Sequence, residues 1–494
     1  IARAVANIVM TNAAKIATPL WSAAQAAQAT GGELHGDWRA DGISIDSRTL
    51  VAGDLFVALR GPNHDGHDHV RQALDAHAAA AMVERAADIA SAQAPLLIVP
   101  DNLEGLTALA KAARARSAAR IVAVTGSVGK TGCKELIACA LNVVGSVSFS
   151  AGNLNNYIGA PLSLARLPAE AAFGVFELGM NQPGEIAPLS RLARPHVVLI
   201  TNVEAVHTEF FDHVDAVAEA KAEIFAGLEP GAVAVLNHDN KYFDFLAARA
   251  RAAGAARIIA FGRGDGCEVR LLTWTPNREG GQVEAEICGV HCSYRLALSG
   301  EHWALNSVAA LATAVAAGAP LNEAAAALVL HQSTPGRGAR HRLAVPDGEY
   351  ELIDESYNAS PVAVSAAIRT LKNIPPAPGA RRIAVLGDML ELGASAVEAH
   401  ANLAPVLEES GIDLVFTVGR LMSHLHAALP NGLRAGQAET SSDLLPTLRA
   451  AIRPGDVVLI KGSLGVKMRS LVDGLKQAAE AAPAKTPRVA RVNG

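Results

Sequence analysis

Residues Thr125 to Thr131 read T-G-S-V-G-K-T, directly after the apolar run Ile121–Val124 and just before a helical stretch at Lys134–Leu141. A strand that ends in a glycine-bearing loop and opens a helix turns backbone N–H groups, and the positive end of the helix dipole, toward one point. That point suits a phosphate. Gly126 and Gly129 let the backbone approach the oxygens, Lys130 reaches the β- and γ-phosphates, and the Thr131 hydroxyl is a ligand for Mg²⁺, with Ser127 and Val128 completing the loop. The front of the loop departs from the full G-x-x-x-x-G-K-[ST] pattern, with threonine at position 125. A plain turn is the alternative, but the strand–loop–helix setting predicts a nucleoside triphosphate site.

Working outward, short β-branched runs alternate with alanine-rich helical segments from about Arg120 to Gly262. The runs are Ile121–Val124, Phe173–Phe176, Val197–Ile200, Ala232–Leu236 and Arg257–Phe261. This alternation predicts a mostly parallel sheet with helices on both faces. Glu268–Leu298 alternates with few helix formers and predicts an antiparallel extension, after which helices return near Asn306. Runs at Ile383–Leu386, Leu414–Val418 and Val457–Ile460 predict a second doubly wound unit. Thr334–Gly338 reads as the hinge between the two. The expected class is α/β in three domains: a small mixed one at 10–112, a central P-loop ATPase sheet at 113–334, and a Rossmann-like domain at 335–481. A polar tail at 482–494 is expected to be disordered.

The chain has 494 residues, enough for about three domains. A net charge of -5 without a long basic block argues against a nucleic-acid partner. No run of about 18 strongly apolar residues is present, so stable membrane insertion is not expected. Ile1–Val9 lacks a convincing signal-peptide pattern and is set aside as an upstream extension or cloning remnant. Cys133, Cys139, Cys267, Cys288 and Cys292 form no disulfide framework, and reduced cytoplasmic thiols are expected.

Ligands gather at the carboxyl ends of parallel strands. Glu177 follows Phe173–Phe176 and can meet the Mg²⁺ of Thr131, since a carboxylate is the hard ligand that ion takes; a helix cap is the other reading. Thr201, Asn202 and His207 follow Val197–Ile200. Lys221 sits centrally on a helical stripe of Val214, Val217, Ile224 and Leu228, so it should point inward. An inward lysine snorkels, pairs with a carboxylate, or has its pKa lowered until the neutral amine reacts. Arg337, in P-G-R at the hinge, either closes on phosphate or is solvated. The loop Asn63–His69 is read as solvated histidines, and R-G-D at Arg263–Asp265 as chance.

Together these segments resemble the Mur ligase family, the ATP-dependent amide-forming enzymes of peptidoglycan assembly. The matches are T-G-S-V-G-K-T, E-L-G-M-N at Glu177, T-N-V-E-A-V-H ending at His207, A-K-A-E-I-F around Lys221, G-E-H-W-A-L-N ending at Asn306, P-G-R ending at Arg337, and K-G-S at Lys461. Within the family, G-N-L-N-N (Gly152–Asn156), D-E-S-Y-N-A-S-P and L-G-D-M-L-E-L-G are similar to the branch that adds D-alanyl-D-alanine to a UDP-N-acetylmuramoyl-tripeptide.

The resemblance implies that Lys130, His207, Lys221 and Arg337 are catalytic. ATP would be held by Thr125 to Thr131, Asn306, Arg337 and Glu355. Two Mg²⁺ ions would be held by Thr131, Glu177, His207 and a carbamylated Lys221, and substrates by Ser47, Arg48, Asn153, Asn155, Asn156 and Asn358. A cytoplasmic monomer acting on small molecules is implied. The chain departs from the family at Gly132 and Cys133, where many relatives carry threonines, at Trp303, where asparagine often follows the histidine, and at Glu355, a place often held by aspartate. The rival readings are a sister ligase, folylpolyglutamate synthetase, or a nucleotide switch without a ligation product.

Overall fold

A computed structural model describes residues 18–480, except 86–93, 206–208, 210, 212 and 278. The expected tail and the N-terminal extension lie outside the described residues.

The first sheet holds Glu33–His35 (β1), Gly42–Ser44 (β2), Asp54–Val57 (β3), Ala80–Val83 (β4) and Leu96–Ile98 (β5), in the order β1-β5-β4-β3-β2. Helix α1 (Asn102–Arg116) follows, its start capped by Asp101, whose carboxylate accepts from the Leu103 and Glu104 N–H groups. Leu106, Leu109 and Ala113 of α1 share one core with Leu55 and Met82 of the first sheet and with Ile121, Leu162 and Phe176 beyond it. The expected boundary at residue 112 therefore falls inside a helix that packs on both neighbours.

The central sheet comprises Arg120–Thr125 (β6), Val147–Phe149 (β7), Phe173–Glu177 (β8), Val197–Ile200 (β9), Val233–Asn237 (β10), Arg257–Gly262 (β11), Val269–Asn277 (β12), Gly280–Ile287 (β13) and Val290–Leu296 (β14), with α2 (Lys130–Leu141) following β6. Its order is β14-β13-β12-β11-β10-β9-β6-β8-β7. Pairing is parallel from β7 to β12 and antiparallel from β12 to β14, as the change of sequence pattern predicts. Residues alternate between two buried faces: Val122 and Val124 pack with Leu136 and Ile137 of α2, while Ala123 packs with Leu189 and Val217 on the other side. Each valine, leucine or isoleucine so buried contributes about 1.5–3 kcal/mol, which is why these strands read as unbroken apolar runs.

Helix α3 (Val214–Ala222) carries Lys221 and tightens into a 3₁₀ turn at Glu223–Gly227. The expected α-helical stripe through Leu228 thus ends a turn early. The cause is close packing: a Cβ on Gly227 would overlap the Ser190 carbonyl, and Ser190 Oγ donates to the Ile224 carbonyl while accepting the Gly227 N–H. Val217, Lys221 and Ile224 still face inward. Helix α4 (Glu301–Ala316) then packs against α2.

The last sheet holds Ala339–Val345 (β15), Gly348–Glu355 (β16), Arg382–Gly387 (β17), Leu414–Val418 (β18), Arg434–Ala438 (β19) and Val457–Lys461 (β20), in the order β15-β16-β20-β17-β18-β19. Only β15–β16 is antiparallel, so the unit is doubly wound as expected.

Candidate active site at the phosphate loop

The register of the central sheet aligns the strand ends. Glu177 of β8 pairs with Val124 of β6, and Ile200 of β9 pairs with Thr125. The loop after β6 is therefore flanked by Glu177 on one side and by Thr201–Asn202 on the other. Gly129 caps α2 in the left-handed region at φ +85°, so the helix begins at Lys130, one turn earlier than the apolar pattern suggested. Gly126 lies against Thr201, whose hydroxyl occupies the place of a Cβ there and donates to the Val128 carbonyl at 2.6 Å.

Two loop N–H groups do not point at the phosphate position. Ser127 N–H donates to the Asn202 carbonyl and Val128 N–H to Asn202 Oδ1, each at 3.0 Å. The N–H groups of Lys130, Thr131 and Gly132 remain outside the helical ladder, which starts with the Cys133 N–H donating to the Gly129 carbonyl. Lys130 Nζ curls back to the Gly126 and Ser127 carbonyls at 2.7 and 3.3 Å. Thr125 Oγ1 is buried and has no hydrogen-bond partner.

Thr131 Oγ1 donates to Glu177 Oε2 at 2.8 Å, and Asn155 Nδ2 donates to Glu177 Oε1 at 2.7 Å. Glu177 is thus no helix cap. Asn155, expected on the substrate side, here holds the Glu177 carboxylate, whereas Asn156 Oδ1 accepts the Ile158 and Gly159 N–H groups and Asn153 is exposed. The sequence reading missed Lys134, a lysine one turn after Lys130 on α2. Fully buried, its amine donates to the Ser150 and Gly152 carbonyls at 2.7 and 2.9 Å and so anchors the segment that delivers Asn155.

Lys221 is buried, which excludes snorkelling. Burial pushes its amine well below the ordinary lysine value, Lys130 adds to the shift, and Glu177 and Glu223 oppose it. Glu223 is committed elsewhere, accepting the Gly184, Ile186 and Ala187 N–H groups. Lys130 is shifted down as well, chiefly by burial, with Glu177 opposing and Arg337 reinforcing. His207 lies outside the described residues.

From the last sheet, the P-G-R turn is pinned by buried Asp354, which accepts Gly336 N–H at 3.0 Å, Ser356 Oγ at 2.5 Å and Arg469 Nη1 at 3.1 Å. Arg337 stacks on Tyr357 at 4.0 Å, so it is neither bare nor fully solvated. Asn306 lies beside the loop, its amide 3.2 Å from where Gly129 would carry a Cβ. Glu355 pairs with Lys461 Nζ at 3.0 Å, and that amine also reaches the Asn358 carbonyl at 3.1 Å. Ser47 and Arg48 have partners within the first domain: Ser47 Oγ donates to Gln72 of the helix Val70–Asp75, and Arg48 forks onto Asp46. In the loop read as solvated histidines, His67 is instead buried, bonding Asp65 Oδ1 and accepting Glu84 N–H.

This geometry agrees with the family comparisons. The Mur ligase family catalytic domain matches residues 39–123, the Mur ligase middle domain 124–314, and the Mur ligase glutamate ligase domain 341–464. The chain belongs to the Mur ligase family. It is 35% identical over 450 residues to the UDP-N-acetylmuramoyl-tripeptide–D-alanyl-D-alanine ligase of Escherichia coli strain K12, covering 90% of this chain and 96% of that protein. The crystal structure of MurF from Acinetobacter baumannii superposes with a TM-score of 0.79 at 30% identity, covering 92% of this chain and 99% of that one. MurF ligase from Thermotoga maritima in complex with ADP gives 0.73 at 26%, covering 89% and 98%. Among the described residues no helix is long and apolar enough to cross a membrane.

Proposed function

We propose that this chain is an ATP-dependent ligase that joins D-alanyl-D-alanine to UDP-N-acetylmuramoyl-tripeptide through a new C–N bond. The observation that carries the reading is Glu177. One of its oxygens is held by Thr131 of the phosphate loop and the other by Asn155 of the G-N-L-N-N segment, which is one of the segments that distinguishes this branch of the family. Near full-length similarity to proteins bearing that name supports the substrates.

A carboxylate is a poor electrophile. In the proposed reaction the tripeptide carboxylate takes the γ-phosphoryl group of ATP, releasing ADP; the dipeptide amine then attacks the acyl carbon, loses a proton and expels phosphate. Such reactions depend on positioning and charge neutralisation. The Thr131 hydroxyl and Glu177 carboxylate are the hard oxygen set that Mg²⁺ prefers, and bound Mg²⁺ would offset phosphate charge. Lys130 would leave its loop carbonyls for the β- and γ-oxygens, and Arg337 would approach from the last sheet. A neutral Lys221 amine can add CO₂ and release a proton to become an anionic carbamate, a ligand for a second Mg²⁺ together with His207. The buried, cation-flanked site of Lys221 supports that state.

Asn153, Asn156 and Asn358 are proposed to face the acceptor peptide, and Ser47 and Arg48 the uridine end. A three-domain division whose first boundary lies after α1, a monomeric state and a cytoplasmic location belong to the same reading. The test is phosphate release from ATP with UDP-muramoyl-tripeptide, with and without D-alanyl-D-alanine, and the product mass. Extension of a UDP-muramoyl-dipeptide by one free amino acid would assign the chain to a sister ligase instead.

A further inference from the structure

Away from the phosphate loop, His238, Asp239 and Cys267 bring an imidazole nitrogen, a carboxylate oxygen and a sulfur within 4.8 Å of one another. The first two follow β10 and the third closes the loop after β11. That loop, which contains the R-G-D otherwise read as chance, is shaped around them. Asp239 accepts the Arg263 and Gly264 N–H groups at 2.6 and 3.0 Å. A Cβ on Gly262 would stand 2.7 Å from the Asp239 carboxylate, and one on Gly266, at φ +95°, would stand 3.5 Å from His238 Nε2. Side chains at 262 would force the loop away, and an L-residue at 266 would be strained. The His238 ring is braced by Phe243 at 4.7 Å, and Asp239 N–H is fixed on Asn237 Oδ1.

We propose that His238, Asp239 and Cys267 form a binding site for a borderline divalent transition ion of the zinc class, with water as the fourth ligand. The mixed nitrogen, sulfur and oxygen set is the one zinc accepts. Mg²⁺, which takes hard oxygens, is not suited to it, so the site is chemically distinct from that of Thr131 and Glu177. A tetrahedral ion with bonds of about 2.0–2.3 Å separates its donors by about 3.3–3.6 Å. Contraction by about 1 Å, within reach of side-chain torsions, closes the present arrangement onto an ion.

The site is wired to the nucleotide loop. Asn237 Nδ2 donates to the Thr201 carbonyl at 3.1 Å and Asn240 Nδ2 to the Val203 carbonyl at 2.9 Å, from the same turn that carries His238 and Asp239. Thr201 and Asn202 in turn hold Val128 and Ser127. An ion at this turn stiffens the segment against which the phosphate loop rests.

The experiment is a Co²⁺ titration of the full, nucleotide-free chain under reducing conditions. One equivalent should bind with a near-ultraviolet sulfur-to-cobalt charge-transfer band, displaced by Zn²⁺ and not by Mg²⁺. Cys267→Ser should abolish the band, and His238→Ala should weaken binding at least about tenfold. Zn²⁺ should raise the Tm of the wild-type chain and leave that of His238→Ala unmoved, a readout that stands if Cys267→Ser folds poorly. Absence of the band in the wild type, or its persistence in Cys267→Ser through one of the other four thiols, overturns the site and leaves the cluster a loop clamp.

Discussion

A Cβ on Gly132 would stand 2.5 Å from Cζ3 and 2.6 Å from Cη2 of Trp303, so the indole occupies the volume that any side chain at 132 would need. Trp303 is 7% exposed and sits in the first turn of α4. Its pyrrole nitrogen lies 3.5 Å from where Gly338 would carry a Cβ, which places one ring between the phosphate-loop helix and the P-G-R turn. The contact thus couples two of the positions at which the chain departs from the family pattern, Gly132 and Trp303.

Gly132→Thr should lower stability by about 1–3 kcal/mol through overpacking and raise the KM for ATP, because α2 is displaced. The double variant Gly132→Thr, Trp303→Asn should regain most of the loss. Thermal unfolding and ATP kinetics of the four-member cycle check this; strict additivity of the two single effects would refute the coupling.

Asn155→Ala should leave Glu177 without its second anchor. The Mg²⁺ concentration for half-maximal activity should rise about ten- to a hundredfold, the usual effect of losing a partner behind a metal ligand. If only the KM for the UDP-substrate changes, Asn155 serves the substrate and not the metal side.

Lys130→Ala should reduce turnover by at least about 10²-fold, since it removes a cation aimed at developing charge. Its native partners are two loop carbonyls, not core side chains, so the Tm should move little. Near-normal turnover would remove this loop as the ATP site.

Lys221→Ala should nearly abolish activity, and short carboxylic acids should partly restore it by supplying oxygen ligands. An inactive variant that carboxylates do not rescue retains the residue but not the carbamate.

The depressed Lys221 pKa also fixes a sign. Between its folded value and the ordinary 10.5, the unfolded chain holds a proton that the folded one lacks, so Lys221 makes stability rise with pH across that window. In CO₂-free buffer, Lys221→Met should show a shallower rise than wild type in denaturant titrations at stepped pH. An unchanged slope would mean that the amine is not depressed.

The parallel pairing of the central strands, the antiparallel hairpin extension and the phosphate loop were legible because each rests on local pattern: unbroken apolar runs in β6 and β8 to β11, alternation in β12 to β14, and glycines where the backbone must turn. Inward placement of Lys221 was legible for the same reason, as Val217 and Ile224 share its stripe. The start of α2 was misjudged because Gly129 and Lys130 carry no apolar signal, and the end of α3 because contact with Ser190 decides it.

What the chain by itself determined is therefore the alternation of strands and helices in the central and last sheets, the strand ends that flank the phosphate loop, and the inward placement of Lys221. Tertiary structure alone decided the partners. Asn155 on Glu177, Lys134 on Ser150 and Gly152, Trp303 on Gly132, and Asp354 under Gly336 join segments 16 to 171 residues apart. Those pairings follow from sheet register and helix packing across the whole domain, which no local periodicity encodes.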